Sequence, residues 1–353
     1  MDETFTLSNS DEDRFDQLTI PRDKDDHPPA LPMLDAYLSM MRASALSTAG
    51  RIGLFEVLAD GPAQASELAE ILAVDIVGIQ RLTDFLIATG HLLRDGSSIA
   101  NAPDTIRWFT RHGAIDYSPG LAWMADAWSI MDDLSESVWR GGPARLLWDR
   151  MVDDPQLGTR FSRYMCAFAE HLSPDLLAAV PVPTGPARLL DLGGSHGTHA
   201  TAFCKRYPEL RAVIVDLASA LGGTNERIEA DGLSNRVTVR ADDIRAYQWG
   251  DGYDVALYLS VAHNMSLDEN REIIAHLARV MRSGGVLVIH EYPRETTPAI
   301  FETAFRLTLL TETGTRTFSL IELGEMLDAA GFASYGHIVL SPPEKGTLII
   351  ARR

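Results

Sequence analysis

Residues 189–198, Leu-Leu-Asp-Leu-Gly-Gly-Ser-His-Gly-Thr, read as a strand that runs through a glycine-rich turn directly into a helix. Glycines let the backbone turn sharply there and leave room for a ligand against the main chain. Downstream the chain alternates short strands and helices. Strands are expected at 188–192, 212–216, 237–241, 255–260 and 286–291, and helices at 198–206, 219–230, 268–281 and 319–330. Such alternation predicts a doubly wound α/β domain around a parallel sheet. Two final apolar pieces, 338–340 and 347–351, lie too close together for a helical crossover, so they should pair antiparallel.

Pro181, Pro183 and Pro186 with Gly185 mark the start of this domain, 181–353. Ahead of it the pattern is mostly helical. Residues 1–32 carry nine Asp or Glu and few large apolar residues, which predicts a disordered acidic tail. From Met33, Leu34, Leu38 and Met41 recur at helical spacing. A Gly61–Pro62 break, a helix cued by Ser66-Glu67-Leu68-Ala69, a third helix over 75–89 and a hairpin turning at Asp95-Gly96 complete a segment of 33–110. Three helices and a small hairpin are the order of a winged helix. Residues 111–180 add helices rich in bulky side chains, read mostly as core. A minority, with Trp128, Phe161 and Met165 as candidates, could line a ligand pocket.

A winged helix raises the question of DNA. The helix that would enter the groove, 77–86, offers Arg81 as its one cation and is flanked by Asp75 and Asp84. Base and phosphate contacts require several Lys or Arg. The whole chain carries a formal net charge of -18, which repels phosphate backbones. A nucleic-acid partner is therefore not expected, and a dimerisation or structural role is. Cys166 and Cys204 lack metal-ligand spacing and suit a reducing compartment. No apolar run approaches the ~20 residues of a membrane span, and the first residues lack the order of a signal peptide. A soluble cytoplasmic protein is the expectation.

A glycine-rich turn alone also suits a dinucleotide. Asp191 discriminates: a carboxylate at the end of the first strand repels a pyrophosphate and suits the ammonium of an amino-acid moiety. That favours S-adenosylmethionine, held along Asp191, Gly193, Gly194 and Gly197. Asp216 ends the second strand, where a carboxylate can accept both ribose hydroxyls; Leu217 follows it. Asp242 could accept from the adenine amino group with Ile244 against the ring, and Asp243 is an equal rival. Ser260, at the end of the fourth strand, joins this set.

His263 sits just past that strand, at the sheet edge where ligands bind in open α/β folds. Histidine titrates near neutrality and can take a proton from an acceptor hydroxyl. Glu291, ending the fifth strand, could orient it. His290 should face the opposite way, because side chains alternate along a strand. His196 and His199 lack an acidic or cysteine cluster, so no metal is expected. Asn264, next to His263, is a further pocket candidate.

Together these motifs resemble the small-molecule O-methyltransferases of bacterial secondary metabolism and their plant relatives, over roughly 33–353. The likeness rests on Asp191-Leu192-Gly193-Gly194 with Gly197, Asp216-Leu217, Asp242, His263-Asn264, Ser283-Gly284-Gly285 and Ala330-Gly331-Phe332. It implies a winged-helix dimerisation domain before a Rossmann-like, class I methyltransferase domain. It also implies cofactor contacts at Gly193, Asp216 and Asp242, His263 as general base, and a homodimer. Two departures stand out. Where relatives carry a second acidic residue in a Gly-Lys-Glu-Arg stretch, this chain reads Gly314-Thr315-Arg316-Thr317. The aspartate and tryptophan that often follow the histidine are Asn264 and Met265. The expected reaction is methyl transfer to a hydroxyl of a small aromatic or polyketide-like acceptor. C-methylation with the same base, and a relative that keeps the cofactor site without transferring a methyl, are the alternatives.

Overall fold

The computed structural model describes residues 32–113 and 115–353; the acidic tail expected over 1–32 lies, but for Pro32, outside them. The chain opens with helices α1 (Pro32–Ile52) and α2 (Leu54–Val57), strand β1 (Ala63–Gln64) and helices α3 (Ala65–Ile71) and α4 (Ile76–Ala88). A hairpin of β2 (Leu92–Asp95) and β3 (Ser98–Asn101) follows. Asp75 ends the loop before α4 by accepting from the backbone N–H of Val77 at 2.8 Å and Gly78 at 3.3 Å. The short β1, not anticipated from sequence, adds to β3 and makes the sheet three-stranded. Helices α5 (Pro103–Phe109), α6 (Ser118–Met131), α7 (Leu134–Arg140), α8 (Leu147–Asp153) and the long α9 (Pro155–Ala179) lead to the second half.

That half holds β4 (Ala187–Leu192), α10 (Thr198–Arg206), β5 (Leu210–Asp216), α11 (Thr224–Ala230), β6 (Val237–Ala241), β7 (Tyr253–Leu259), α12 (Leu267–Val280), β8 (Met281–Glu291), α13 (Ala299–Glu312), α14 (Leu320–Ala329), β9 (Ser334–Val339) and β10 (Thr347–Arg352). The sheet order is β6-β5-β4-β7-β8-β10-β9. Five strands run parallel, and β10 pairs antiparallel with both β8 and β9, so the terminal hairpin is present as expected. Alternate residues of each strand feed opposite faces. Leu190, Ala256 and Leu287 pack with α12 and α14, while Leu189, Val255 and Val288 pack with α9 and α10.

Three local readings change. The helix expected over 219–230 is broken: Gly222-Gly223 interrupt it, with Gly223 at φ 76, and α11 starts only at Thr224. Helix α13 fills a stretch for which no element was expected. The first half of α1 is helical, yet Met33, Leu34, Tyr37, Leu38 and Met40 are all exposed; Trp139, read as core, is 90% exposed.

The turn Ala262–Asn264 that carries His263 is held from below by α12. Its N-cap Ser266 and Glu269 exchange hydrogen bonds, Ser266 N–H to Glu269 Oε2 at 2.8 Å and Glu269 N–H to Ser266 Oγ at 3.2 Å. One turn further, fully buried Asn270 donates to the carbonyls of Ala262, Met265 and Ser266 and accepts from the Tyr258 hydroxyl at 2.9 Å. Removing one amide leaves several buried groups unpaired, each costing about 1–3 kcal/mol less any local relaxation. Asn270→Ala should therefore lower unfolding free energy by about 3 kcal/mol in a urea titration. A loss within about 0.5 kcal/mol, the range of ordinary surface substitutions, would show that the turn does not depend on it.

Candidate active site

The carboxyl ends of β4, β5, β7 and β8 face a layer formed by α6, α8, α9 and α13, and between them lies a cavity of about 830 Å³. Its wall includes Asp191, Gly193, Gly194, Asp216, Leu217, Asp243, Ile244 and Ser260 on the sheet side. These are most of the residues that sequence reasoning assigned to the cofactor. Gly197 and Asp242 are not in the wall. Gly197 is the N-cap of α10, where an added Cβ would lie 3.0 Å from Ile214 and 3.2 Å from Thr224, so its smallness serves packing. Asp242 donates its backbone N–H to the Asp216 carbonyl at 2.9 Å, while the neighbouring Asp243 lines the cavity.

The turn after β4 leaves no room for ordinary side chains. Gly193 sits at φ 76, and a Cβ there would come 2.4 Å from Val261. Asp191 is 1% exposed and its Oδ2 has no hydrogen-bond partner among the described residues. Burial pushes its carboxyl up to about 7, opposed by the Ala200 N–H and reinforced by the Asp216 charge. Asp216 accepts from Ser195 N–H at 2.9 Å and Leu217 N–H at 2.7 Å, which uses one lone pair on each oxygen and leaves others open. Burial raises it to about 6 despite those bonds, and Asp243 adds to the rise. Asp243 itself is held low by the Arg245 guanidinium. An orphaned buried carboxylate oxygen and a second carboxylate with free lone pairs suit an ammonium and a pair of hydroxyls. The residues present therefore fit S-adenosylmethionine.

His263 and Glu291 come together. Glu291, fully buried at the end of β8, receives the His263 backbone N–H at 3.2 Å and faces Nδ1 at 3.0 and 3.1 Å. With the carboxylate ionised, Nδ1 carries the proton and Nε2 is left as the basic nitrogen. The Phe305 ring meets the imidazole edge-on at 4.9 Å. Glu291 is outside the cavity wall and His263 is in it. His290 turns away, as alternation predicts, bonding Ser260 Oγ through Nδ1 at 2.8 Å and the Lys345 carbonyl through Nε2 at 2.7 Å. His196 and His199 line the wall too, but their Nδ1 atoms are engaged by Thr198 and Ser173, and burial lowers both, His196 to about 3.

On the helical side Phe161 and Met165 of α9 line the cavity, and Asn264 lines it from the turn after β7. Trp128 does not; it is 36% exposed on another face of α6, and Trp123 occupies the wall instead, packed on Phe161 at 5.0 Å. Sequence reasoning missed α13 altogether. Phe301, Phe305, Leu309 and Glu312 lie on one face of it and line the cavity. Their spacing of four, four and three was the available signal. Tyr164 and Tyr292, also in the wall, were missed as well.

A sequence-family profile described as an O-methyltransferase domain matches residues 125–333. The 3-hydroxy-5-methyl-1-naphthoate 3-O-methyltransferase of Streptomyces sahachiroi is 26% identical over 264 residues, 73% of this chain and 76% of that protein. An O-methyltransferase family protein from Burkholderia thailandensis superposes with a TM-score of 0.78 at 22% identity, covering 93% of this chain and 99% of that one. Human N-acetylserotonin methyltransferase, solved in complex with SAM, gives 0.80 at 18% identity over 93% and 99%. Both likenesses establish the shared fold. No helix among the described residues is long and apolar enough to cross a membrane.

In the unfolded chain Asp191 titrates near 3.8, and in the folded chain near 7. Between those values the folded state binds more protons, so stability falls as pH rises through the window. The ligand-free protein should lose thermal stability from pH about 4 to about 7, and Asp191→Asn should remove part of that loss. Superimposable Tm–pH profiles for the two proteins would exclude Asp191 as a cause.

Proposed function

The chain belongs to the O-methyltransferase domain family, and from that premise we propose that it transfers a methyl group from S-adenosylmethionine to a hydroxyl of a small aromatic or polyketide-like molecule. One observation carries the reading of the reaction: an imidazole anchored to a fully buried carboxylate stands in the wall of a cavity that is aromatic on one side and carboxylate-rich on the other. S-adenosylmethionine, when bound, supplies a methyl on a sulfonium whose bonding pair leaves with sulfur as the acceptor oxygen closes on the carbon.

The chain's own part is binding, alignment and proton removal. Asp191 offers its unpaired oxygen to the ammonium of the amino-acid moiety, and the field of that cation restores Asp191 to its ionised form. Asp216 takes the ribose hydroxyls on the lone pairs that the Ser195 and Leu217 amides leave free. Trp123, Phe161 and Phe305 enclose a flat acceptor and exclude water from it. His263 removes the acceptor's hydroxyl proton at Nε2, and Glu291 stabilises the imidazolium through Nδ1–H. Alignment of reactants can contribute ~7–11 kcal/mol, and the base a further ~10²–10⁴-fold. His263→Ala should depress kcat by about 10²–10⁴-fold while calorimetry finds S-adenosylhomocysteine affinity close to that of the parent. Unimpaired turnover by the variant would refute the base.

We also propose that the chain works as a homodimer through the first half of α1. Met33 is 84% exposed, and Leu34, Tyr37, Leu38 and Met40 each 41–53%. Contiguous apolar surface of this kind marks an interaction site. The parent protein should sediment as a dimer, and Leu34→Asp with Leu38→Asp should yield a folded monomer. A monomeric parent at micromolar concentration would overturn the assignment.

A further inference from the structure

The charges around the cavity are one-sided. Among the described residues of its wall, Arg245 is the single Lys or Arg, and it is tied to Asp243 at 2.7 Å and Glu269 at 3.1 Å at the sheet side. The helices over the sheet edge, where an acceptor would lie, contribute aromatic rings and one carboxyl group, Glu312, and the loop between β9 and β10 adds Glu344 to the wall. Glu312 is the last residue of α13, so the partial negative charge of a helix C-terminus lies beside it. It makes no hydrogen bond and no ion pair with any described residue. Burial pushes it up to about 7, and His263 is the one group that opposes the rise. The phenol of Tyr164 feels its charge in turn. Glu312 therefore opens on the same space as His263, with its lone pairs unclaimed by the protein.

Glu312 is half-buried in the cavity wall, and a carboxyl partly desolvated there without a partner gains a hydrogen bond when a ligand supplies a donor, whereas a ligand that lacks one leaves it unpaired. A carboxylate on the ligand would meet the carboxyl groups of Glu291 behind His263, Glu312 and Glu344, with no unpaired Lys or Arg among the described residues of the wall to offset them. We propose that Glu312 is a specificity-determining residue: it accepts a hydrogen bond from a second hydroxyl or an amine near the reacting oxygen of the acceptor, and it disfavours an acceptor that carries a carboxylate in that place. The proposal deepens the reading of His263 as the base at an acceptor hydroxyl and rests on it. An aromatic amine held as a cation is compatible too, since ring faces and carboxylates both attract it.

The test compares two ligands of matched shape, a naphthalene with adjacent hydroxyls and one with a hydroxyl beside a carboxylate. Binding of each to the full-length protein loaded with S-adenosylhomocysteine is measured by calorimetry. The diol should bind about tenfold tighter, the scale expected for a hydrogen bond to a charged group. Glu312→Ala should weaken the diol and erase most of the difference. Glu312→Gln, which keeps an oxygen acceptor and the shape but not the charge, should retain the diol and admit the carboxylate. Equal binding of the two ligands by the parent protein, or an unchanged preference in Glu312→Ala, overturns the role of Glu312. Turnover measured in parallel separates this from the reaction itself. Methyl transfer to both ligands without preference leaves the reaction standing and removes Glu312. A binding preference without methyl transfer supports Glu312 and counts against the reaction.

Discussion

Parallel pairing at the centre of the sheet forces the carboxyl ends of β4, β5, β7 and β8 onto one edge. Asp191, Asp216, Ser260 and Glu291 come from strands far apart in sequence, yet the register brings them to a common line. Leu259 pairs with His290, so Ser260 emerges level with Glu291, and the turn behind Ser260 delivers His263 to that carboxylate. Antiparallel order at these strands would scatter the same groups over two edges. The hairpin of β9 and β10 is antiparallel without disturbing this, because it lies beyond β8 and contributes none of the strand-end carboxylates.

Local backbone strain collects at the same edge. Ser195 and Ser260 adopt φ of 35° and 56°, a region that side chains with a Cβ seldom occupy. Both are fastened there: Ser195 Oγ donates to the Ala220 carbonyl at 2.9 Å, and Ser260 Oγ bonds His290 at 2.8 Å. Such positions persist when the surroundings over-determine them, and they are frequent at ligand sites. The energetics of the site follow one pattern. Asp191, Asp216 and Glu312 are all raised by burial, so without ligand the cavity holds carboxyl groups whose charge is disfavoured. Glu291 is placed differently, with a backbone amide and the His263 imidazole both within hydrogen-bond distance of its carboxyl oxygens.

Legibility in the sequence varied with how local each signal was. The strand-turn-helix around Gly193, the alternation behind the parallel sheet and the helices over 75–89 and 319–330 are written in neighbouring residues, and all are present in the structure. The helix expected over 219–230 is cut short because Gly222-Gly223 interrupt it, with Gly223 in the left-handed region at φ 76. Trp128 and Trp123 illustrate a harder case. Both are bulky residues on α6, five positions apart, and only the packing of α6 on α9 decides that Trp123 meets the cavity while Trp128 meets solvent. Comparing a Gly-Thr-Arg-Thr stretch with an acidic one suggested a missing carboxyl. The carboxyl that lines the cavity next to this stretch is Glu312, at the end of α13.

What the sequence alone determined was the succession of the parallel strands and the closing hairpin, the direction of the sheet and the identity of the residues at its strand ends. Periodicity, glycines and capping side chains act over a few residues and need no distant partner to be read. Which side chains share a cavity was decided by tertiary structure. The layer of α6, α8, α9 and α13 over the sheet edge brings Phe161, Phe305 and Glu312 to His263 across separations in sequence that no local pattern spans. Burial then sets the charge states of Asp191, Asp216 and Glu312, because desolvation depends on everything that packs around a carboxyl group and not on its neighbours in the chain.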